Sequence, residues 1–381
     1  MSAYSLSAYG RMVADPRRWS AVQAALEHVV RPGSTVLDLG AGYGSATFEA
    51  VARGASRVIA VEPAEAILVG ERVARANGLS DRIAFHRARL EDVPPEPVDV
   101  VFADLRGGLP FMPGHFEALA LARRAWLRPG GVLVPHRDEL FVAPVRDERL
   151  AQEKLTPWGA AHPQVDLAAA RALLANEMHR VNPPVTCLAA PPRAWAEIDY
   201  GQPEIRSYGK PVRFDGLEAG PVHGLVVWFD GELVPGIRVS NAPDGKDTVY
   251  GRFLIAFDGP LDLPAGGTLE VDMRVSPVRG QWIWRWVAEV REAQGASVGR
   301  RDGSSWNAQT VDAGRLARRR PDARPALGDD ARLLAVVLAA IDGNRTVAEI
   351  AAEAREKLPS LLPDEDTAME KVGDIVERHG R

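Results

Sequence analysis

Three glycines follow the first apolar strand of the chain at alternate positions. Val36 to Gly44 reads VLDLGAGYG, so Gly40, Gly42 and Gly44 form a G-x-G-x-G turn. Because glycine has no side chain, such a turn can bend sharply and approach a ligand closely. Glu62 ends the next apolar strand, where a carboxylate can accept both hydrogen bonds of a ribose diol. The pattern predicts a nucleoside site at the carboxyl ends of two parallel strands.

Asp38, two residues ahead of the first glycine, indicates which nucleoside to expect. The spacing differs from the G-x-G-x-x-G of a dinucleotide site, whose third glycine opens the helix beneath a pyrophosphate. We therefore predict S-adenosylmethionine, a nucleoside with a charged amino-acid tail, with Asp38 facing its positive end. The alternative is a tight turn of a doubly wound sheet without a ligand, and the acid at Glu62 argues against it.

Size and composition restrict the class of protein. The 381 residues suffice for two or three domains, and the single cysteine, Cys187, cannot form an internal disulfide. The sequence has no cleavable apolar start and no run of membrane-spanning length, so we expect a soluble cytoplasmic protein without a membrane partner. With 46 Lys and Arg against 51 Asp and Glu, the net charge of -5 argues against nucleic acid as a partner. We predict no metal site.

Residues 1 to 143 must form the elements that position these groups. Apolar and helical stretches alternate here, as is typical of a parallel sheet with helices on both faces. The order is that of a Rossmann-like class I methyltransferase core. We predict strands at Ser34 to Leu39, Arg57 to Val61, Ile83 to Arg87, Val98 to Ala103 and Gly131 to Pro135, and helices at Ala46 to Arg53, Glu65 to Asn77 and Phe116 to Trp126.

The rest of the chain divides into a β-rich domain, a linker and a small module. Residues 144 to 292 contain short alternating apolar pieces, which predict an antiparallel β-barrel, and an inserted helical arm at about 163 to 184. Residues 293 to 330 are rich in Gly, Ser and Arg and are predicted to be a linker. Residues 331 to 381 predict a small helical or winged-helix-like module, with a capping box at the start of its second helix.

Several segments are similar to a known family. Asp99 to Val134 reads DVVFADLRGGLPFMPGHFEALALARRAWLRPGGVLV and resembles the protein arginine methyltransferases in a strand, its following loop, the next helix and the turn after it. LEDV at Leu90 to Val93 and AYGRMVADPRR at Ala8 to Arg18 also match elements of that family. The resemblance covers about residues 4 to 290. It implies an S-adenosylmethionine-binding core followed by a β-barrel substrate domain.

The resemblance also implies a role for each candidate residue. An arginine fork suits a carboxylate and a single glutamate suits a diol. From the residues alone, Arg18 is equally well a solvated charge and Glu91 a loop-end acid. Met12 would contact the transferred methyl, with packing as the other interpretation. The implied cofactor contacts are Arg18 on the methionine carboxylate, Asp38, Gly40 and Gly42 along the methionine portion, Glu62 on the ribose and Glu91 on the adenine amino group, and Gly44 is a further predicted cofactor-binding residue.

The chain departs from the family where the substrate would bind. The family holds a guanidinium between two glutamates, whereas this chain has Asp104 at the first position and Pro113 at the second. A guanidinium would keep one carboxylate partner, which argues against arginine as the methyl acceptor. We predict that Asp104 orients the acceptor and takes its proton; a supporting or helix-capping acid is the alternative. Arg106, in the same loop, would neutralise Asp104 or bind an acidic group of the substrate.

Nearby residues have competing interpretations. His115 and Glu117 could replace Asp104 as bases, but we expect both to be exposed helix residues. Trp282, Trp284 and Trp286 alternate and therefore face one side of a strand. Trp282 is a candidate substrate contact, although barrel core or an interface with the first domain is the favoured interpretation for all three tryptophans.

The final module has a second resemblance. Its LAAIDGNRTVAEIAAE is similar to the winged-helix peptide chaperone of pyrroloquinoline quinone biosynthesis and to related leader-binding domains. This resemblance implies capture of a peptide substrate by strand addition; a helical cap that stabilises the barrel is the alternative. Our leading hypothesis is methylation of a side chain in a peptide or protein, such as a ribosomally made natural-product precursor. A small-molecule N- or O-methyltransferase and a non-catalytic regulator that binds S-adenosylmethionine are the alternatives.

The inserted arm lies where the family carries its dimerisation arm, so we expect a homodimer.

Overall fold

The computed structural model describes residues 5–155, 164–244 and 248–380. These residues fall into two compact units, which divide between Gln309 and Thr310. Pro163, at the start of the predicted arm, and residue 4, at the start of the family resemblance, lie outside the described residues. No described helix has both the length and the apolar character needed to span a bilayer.

The first unit begins with a parallel sheet whose strand order is β3-β2-β1-β4-β5. Every position of β1 after the first is buried, as expected for a central parallel strand covered on both faces. The order confirms the predicted Rossmann-like core. The strands are β1 Thr35–Leu39, β2 Arg57–Val61, β3 Ile83–His86, β4 Val98–Ala103 and β5 Leu127–Val134.

Helices cover this sheet and precede it. Asp15 caps α2 by accepting hydrogen bonds from the backbone N–H groups of Arg17 and Arg18, and Pro16 supplies the fixed φ angle favoured at the first helical position. The helix predicted over Phe116 to Trp126 is interrupted, because α5 passes into a π-helical turn at Ala122–Trp126. The helices are α1 Leu6–Ala14, α2 Pro16–Val29, α3 Ser45–Ala52, α4 Ala66–Ala76 and α5 His115–Leu121.

Two antiparallel sheets follow, in agreement with the predicted β-rich domain. One has the order β7-β12-β10-β6-β8 with β11 on β10, and the other has the order β15-β14-β13-β9. The strands are β6 Arg137–Val145, β7 His179–Val181, β8 Arg193–Asp199, β9 Pro211–Phe214, β10 Gly220–Val234, β11 Ile237–Ser240, β12 Arg252–Leu263, β13 Thr268–Val278, β14 Gln281–Arg291 and β15 Ser297–Ser304.

Two boundaries in this domain differ from the prediction. Strand β15 pairs with β14 along its length, so the β domain continues into the range predicted to be a linker. The arm contains a helix, α7, only at Ala168–Leu174, and His179 and Arg180 belong to β7 instead. Helix α6, Glu148–Leu155, precedes it. Pairing with β12 overrides the helical propensity of the sequence at the end of the arm.

Helices are the regular secondary structure of the second unit within its described residues, 310–380, and loops connect them. The predicted capping box is present, since Thr346 and Glu349 exchange side-chain and backbone hydrogen bonds at the start of α10. A small apolar core includes Leu333, Val337 and Val372. No strand lies within these described residues, so no wing or sheet edge accompanies the helices. The helices are α8 Ala313–Ala317, α9 Asp329–Ala340, α10 Val347–Lys357 and α11 Glu365–His379.

Candidate functional site

The glycine turn lies where β1 ends and is tied to the end of β2. Gly40, Gly42 and Gly44 have φ angles of 74°, 57° and 94°, a region in which other residues are strained. The Gly42 N–H donates to Glu62 Oε2 at 3.1 Å, and the Ala64 N–H donates to Oε1 at 2.8 Å. A carboxylate has about four acceptor positions, so each Glu62 oxygen keeps a lone pair for a further donor. The predicted turn and the predicted acid are brought together.

Two other segments pack directly on this turn. A Cβ atom at position 42 would lie 2.5 Å from Tyr9 Cε1 of α1, and one at position 40 would overlap the side chain of Leu105. Tyr9 also contacts Tyr43 edge to face, with ring centroids 5.9 Å apart. The absent side chains are therefore required by close approach as well as by backbone conformation.

Asp38 is a buried residue of the central strand β1, two positions before the first glycine of the turn. Its side chain is 2% exposed, and Oδ2 accepts a hydrogen bond from Thr47 Oγ1 at 2.6 Å. Burial raises the pKa of Asp38 to about 6, although the hydrogen bonds from Thr47 lower it. A cationic group placed beside this carboxylate would favour its ionised form, since opposite charges lower a carboxyl pKa.

Asp104 follows β4 at the same edge of the sheet. Because β1 pairs with β4 and Leu39 is opposite Ala103, Asp104 is next to the glycine turn. Its Oδ2 accepts from Arg18 Nε at 2.9 Å and from the Tyr250 hydroxyl at 2.8 Å, and Arg18 Nη2 lies 2.8 Å from the same oxygen. Its Oδ1 accepts from Arg106 Nε and Nη2, both at 3.1 Å. Both carboxylate oxygens are therefore occupied by groups of the chain itself.

These partners set the charge of Asp104. Burial alone would raise its pKa, but the guanidinium groups of Arg106 and Arg18 outweigh burial and hold the pKa well below its ordinary value. The same pairing raises the pKa of Arg18 against the effect of burial. The group is a permanent carboxylate at neutral pH. It is consequently a weak base, and its main capacity is to accept hydrogen bonds.

Arg106 links Asp104 to the β domain. Its side chain is 0% exposed, and Nη1 donates to Asp138 Oδ1 at 3.0 Å. The Tyr200 hydroxyl donates to the other Asp138 oxygen at 2.7 Å. This geometry agrees with neutralisation of Asp104, the first of the two roles considered for Arg106, because a fully buried side chain cannot meet a substrate in this conformation.

The remaining candidates lie further from this cluster. Glu91 is 57% exposed and its nearest charged partner is Arg89 at 3.7 Å, so its adenine contact stays a prediction. Met12 is half-buried, and its carbonyl accepts from Arg18 Nη1 at 3.3 Å. Trp282 packs against Phe111 and Phe116, with ring centroids 5.2 and 5.0 Å away. For Trp282 these contacts agree with an interface to the first domain, one of the two favoured interpretations, rather than with an open aromatic wall.

Sequence reasoning missed several members of the site. Tyr250, in the turn before β12, and Asp138, in β6, reach it from the antiparallel part of the chain, and no local motif marks either residue. His115 was expected to be exposed, and that expectation is wrong, because its side chain is 1% exposed and lies between Phe116 and Tyr200. Helix α5 starts at His115, immediately after Gly114, and the side chains of its first two residues, His115 and Phe116, are buried. Glu117 is exposed, as expected.

Comparison with known proteins gives a consistent result. Residues 36–131 match the family model of a methyltransferase domain. The chain is 28% identical over 289 residues to protein arginine N-methyltransferase 6 of Xenopus laevis, which covers 71% of this chain and 84% of that protein. The chain is similar to the protein arginine methyltransferases (PRMTs). It is an S-adenosylmethionine-dependent methyltransferase.

Solved structures show the same fold. The PRMT1 enzyme-prozyme heterotetrameric complex of Trypanosoma brucei with AdoHcy superposes with a TM-score of 0.67 at 21% identity, over 78% of this chain and 98% of that one. Protein arginine methyltransferase 10 of Arabidopsis thaliana has a TM-score of 0.67 at 20% identity, over 79% and 98% of the two chains. The similarity extends through both the parallel and the antiparallel sheets.

The residues at the turn fit S-adenosylmethionine chemically. Glu62 retains acceptor positions for a ribose diol, and Asp38 is an acid whose buried charge a nearby sulfonium would stabilise. Arg18 is a cation that could bind the methionine carboxylate at this edge of the parallel sheet, and its guanidinium is paired with Asp104. Among the described residues, no group of three or more His, Cys, Asp or Glu is arranged to hold a metal ion.

Proposed function

We propose that this methyltransferase acts on a side chain of a peptide or protein, and that the acceptor is not a guanidinium. One observation carries the proposal: both oxygens of Asp104 are already bound by Arg18, Arg106 and Tyr250. A guanidinium presents five donors and is recognised by forked carboxylate contacts. The position that would supply the second acid is Pro113, which is exposed.

A neutral acceptor fits this environment better. Methyl transfer from a sulfonium is an in-line displacement, in which the enzyme mainly holds the acceptor near the methyl group and excludes water. The cofactor supplies the activated methyl group when bound. Asp104 would accept one N–H hydrogen bond from a neutral nitrogen acceptor and so aim its lone pair at that methyl group. The new bond to the methyl carbon would form as the carbon–sulfur bond breaks, and the methylated acceptor would then lose its proton to water. This role replaces the predicted role of a base, because the pKa of Asp104 is held low.

Two anions would compete for Arg18 in this scheme, namely Asp104 and the methionine carboxylate of the cofactor. Arg18 binds Asp104 and the Met12 carbonyl. The methionine carboxylate of the cofactor would take part of this fork, which would free lone-pair space on Asp104 Oδ2 for the acceptor. Cofactor binding would therefore prepare the acceptor site, and the two ligands would bind in that order.

The peptide part of the proposal concerns the second unit and the assembly. The α9 to α11 helices would hold the substrate peptide near the enzyme and raise its effective concentration at Asp104. Strand addition is not available to the described residues of this unit, since they contain helices only. We propose a helix face as the contact instead, together with a homodimer and a cytoplasmic location.

Mass spectrometry with matched acceptors tests the proposal. The full chain and S-adenosylmethionine would be incubated with acetylated glycyl-X-glycine amides in which X is Arg, Lys, His, Asn or Ser, with peptides encoded beside the gene, and with the free amino acids. We expect the mass of one methyl group on a peptide other than the arginine peptide. Methylation of the arginine peptide, or equal turnover of free amino acids, would contradict the proposal. Cofactor binding by calorimetry without any transfer would favour the regulator.

A further inference from the structure

Arg106 is bound in the way that an enzyme would bind a substrate guanidinium. Its Nε and Nη2 form a fork on Asp104 Oδ1, and its Nη1 reaches Asp138 Oδ1 on the opposite side. The planar group thus lies between two carboxylates, an arrangement suited to the fixed donor geometry of arginine. The ring centroid of Phe229 is 5.1 Å from Cζ and that of Tyr250 is 6.0 Å away.

The β domain leaves space for this guanidinium. Gly231 in β10 lies directly opposite Asp138 in β6, and a Cβ atom at Gly231 would come within 2.6 Å of Asp138 Oδ1 and would overlap Arg106 Nη1. Tyr200, which follows β8, fixes the other oxygen of Asp138. The antiparallel sheet therefore supplies one side of a guanidinium-binding place through Asp138, and Asp104 of the loop after β4 supplies the other. The guanidinium that fills it comes from the same loop.

Asp138 depends on its cationic partner. Burial raises the pKa of Asp138, and Arg106 and the Tyr200 hydrogen bond reduce that increase without cancelling it. A buried carboxylate that loses its partner is strongly unfavourable or takes up a proton. The ionised form of Asp138 is therefore favoured by a guanidinium beside it, whether that group comes from the chain or from a ligand.

We propose that Arg106 is a specificity-determining residue that fills the arginine-binding place between Asp104 and Asp138 with the chain's own guanidinium. Asp138 supplies the second carboxylate that Pro113 does not provide. Substrate arginine is excluded because its site is occupied, and a smaller neutral acceptor would approach Asp104 Oδ2, the oxygen that Arg106 does not bind, once Arg18 has turned to the cofactor carboxylate. This inference deepens the proposed function and rests on it.

Replacement of Arg106 tests the inference by binding alone. Arg106→Ala should create a site for methylguanidinium and also for acetyl-glycyl-arginyl-glycine amide, measured by thermal shift at millimolar concentrations. At ten times its Kd, either ligand should raise the Tm of R106A by about 2 °C. The wild type should not respond to either ligand. The matched acetylated lysine peptide should have no effect, since an ammonium lacks the fork.

A second variant distinguishes a binding site that depends on the Asp138 carboxylate from a cavity that only provides space. R106A/D138N has the same space with one carboxylate removed, so both guanidinium ligands should lose at least tenfold in affinity. Should R106A fail to fold alone, refolding in millimolar methylguanidinium should recover it, and failure of that rescue contradicts the proposal.

The outcomes distinguish this inference from the proposed function. Binding of methylguanidinium without binding of the arginine peptide would mean that the pocket is sealed inside the protein, and it would overturn a role in specificity. Response of the wild type to the arginine peptide would overturn it equally. Neither result depends on methyl transfer, whereas calorimetry of the wild type with S-adenosylmethionine tests the proposed function separately.

Discussion

Removal of the Asp104 charge is the perturbation with the largest expected effect on stability. Asp104→Asn keeps the size of the side chain but leaves Arg18 and Arg106 without their shared carboxylate. The Arg106 side chain is 0% exposed, and those of Arg18 and Asp104 are 11% and 8% exposed. Loss of one partner from a buried ion pair costs about 3–5 kcal/mol, because the remaining charge stays desolvated. For a unit that spans residues 1–309, that corresponds to a Tm lower by about 5–8 °C.

Thermal unfolding of D104N at several pH values measures this effect. Asp302→Asn is the control, since Asp302 pairs with Arg300 at 3.4 Å on the surface with a side chain that is 63% exposed. An exposed pair contributes little, so D302N should change the Tm by less than about 1 °C.

The pH dependence follows from the direction of the shift. The pKa of Asp104 in the folded state lies below the ordinary value of 3.8. Its pairing therefore stabilises the protein fully above about pH 4, and the stabilisation is lost as the pH falls towards the folded pKa. The gap between wild type and D104N should be constant from pH 5 to pH 8 and should narrow below pH 4. A D104N protein as stable as the wild type at pH 7 would refute the assignment of Asp104 as the shared partner of both arginines.

Three further predictions concern other parts of the chain. Gly42→Ala should weaken S-adenosylmethionine binding at least tenfold by calorimetry, because its Cβ meets Tyr9, whereas Gly78→Ala, with a similar φ and open space, should not. Burial lowers the pKa of His115 to about 4 from 6.5, so wild-type Tm should fall as the pH drops from 6.5 towards 4, and His115→Phe should remove that part of the slope. Thr346→Ala should cost about 1 kcal/mol in the second unit, seen as faster amide hydrogen exchange in α10, with no change in α2.

Local patterns were sufficient for the first half of the fold. The strands around Val36 and Val58 are short, mostly apolar runs that end at Gly40 and Glu62, and the structure places them within one or two residues of the prediction. The capping box at Thr346 was equally readable, because all of its partners lie within four residues. The β15 strand was missed since SVGRRDGS is polar, and its pairing with β14 rather than its composition fixes its conformation.

The candidate site was predictable only for those residues whose positions follow from nearby sequence. Gly40 to Gly44, Glu62 and Asp104 all follow from strand ends at one sheet edge, and the structure brings them together. The partners of Asp104 come from elsewhere: Tyr250 is 146 residues away in the sequence, and Asp138 reaches the site through Arg106. Neither has a spacing that a motif could reveal. His115 was misjudged because the inward turn of α5 depends on packing against Tyr200, a distant residue.

A crystal structure of the full chain with S-adenosylhomocysteine tests the central claim most directly. The account predicts ribose hydroxyls on Glu62, the adenosyl group over Gly40 to Gly44 and the thioether sulfur directed towards Asp104, with Arg18 moved at least in part from Asp104 to the ligand carboxylate. A ligand bound at another surface, or one whose sulfur faces away from Asp104 while the Arg18 pair stays intact, would contradict it.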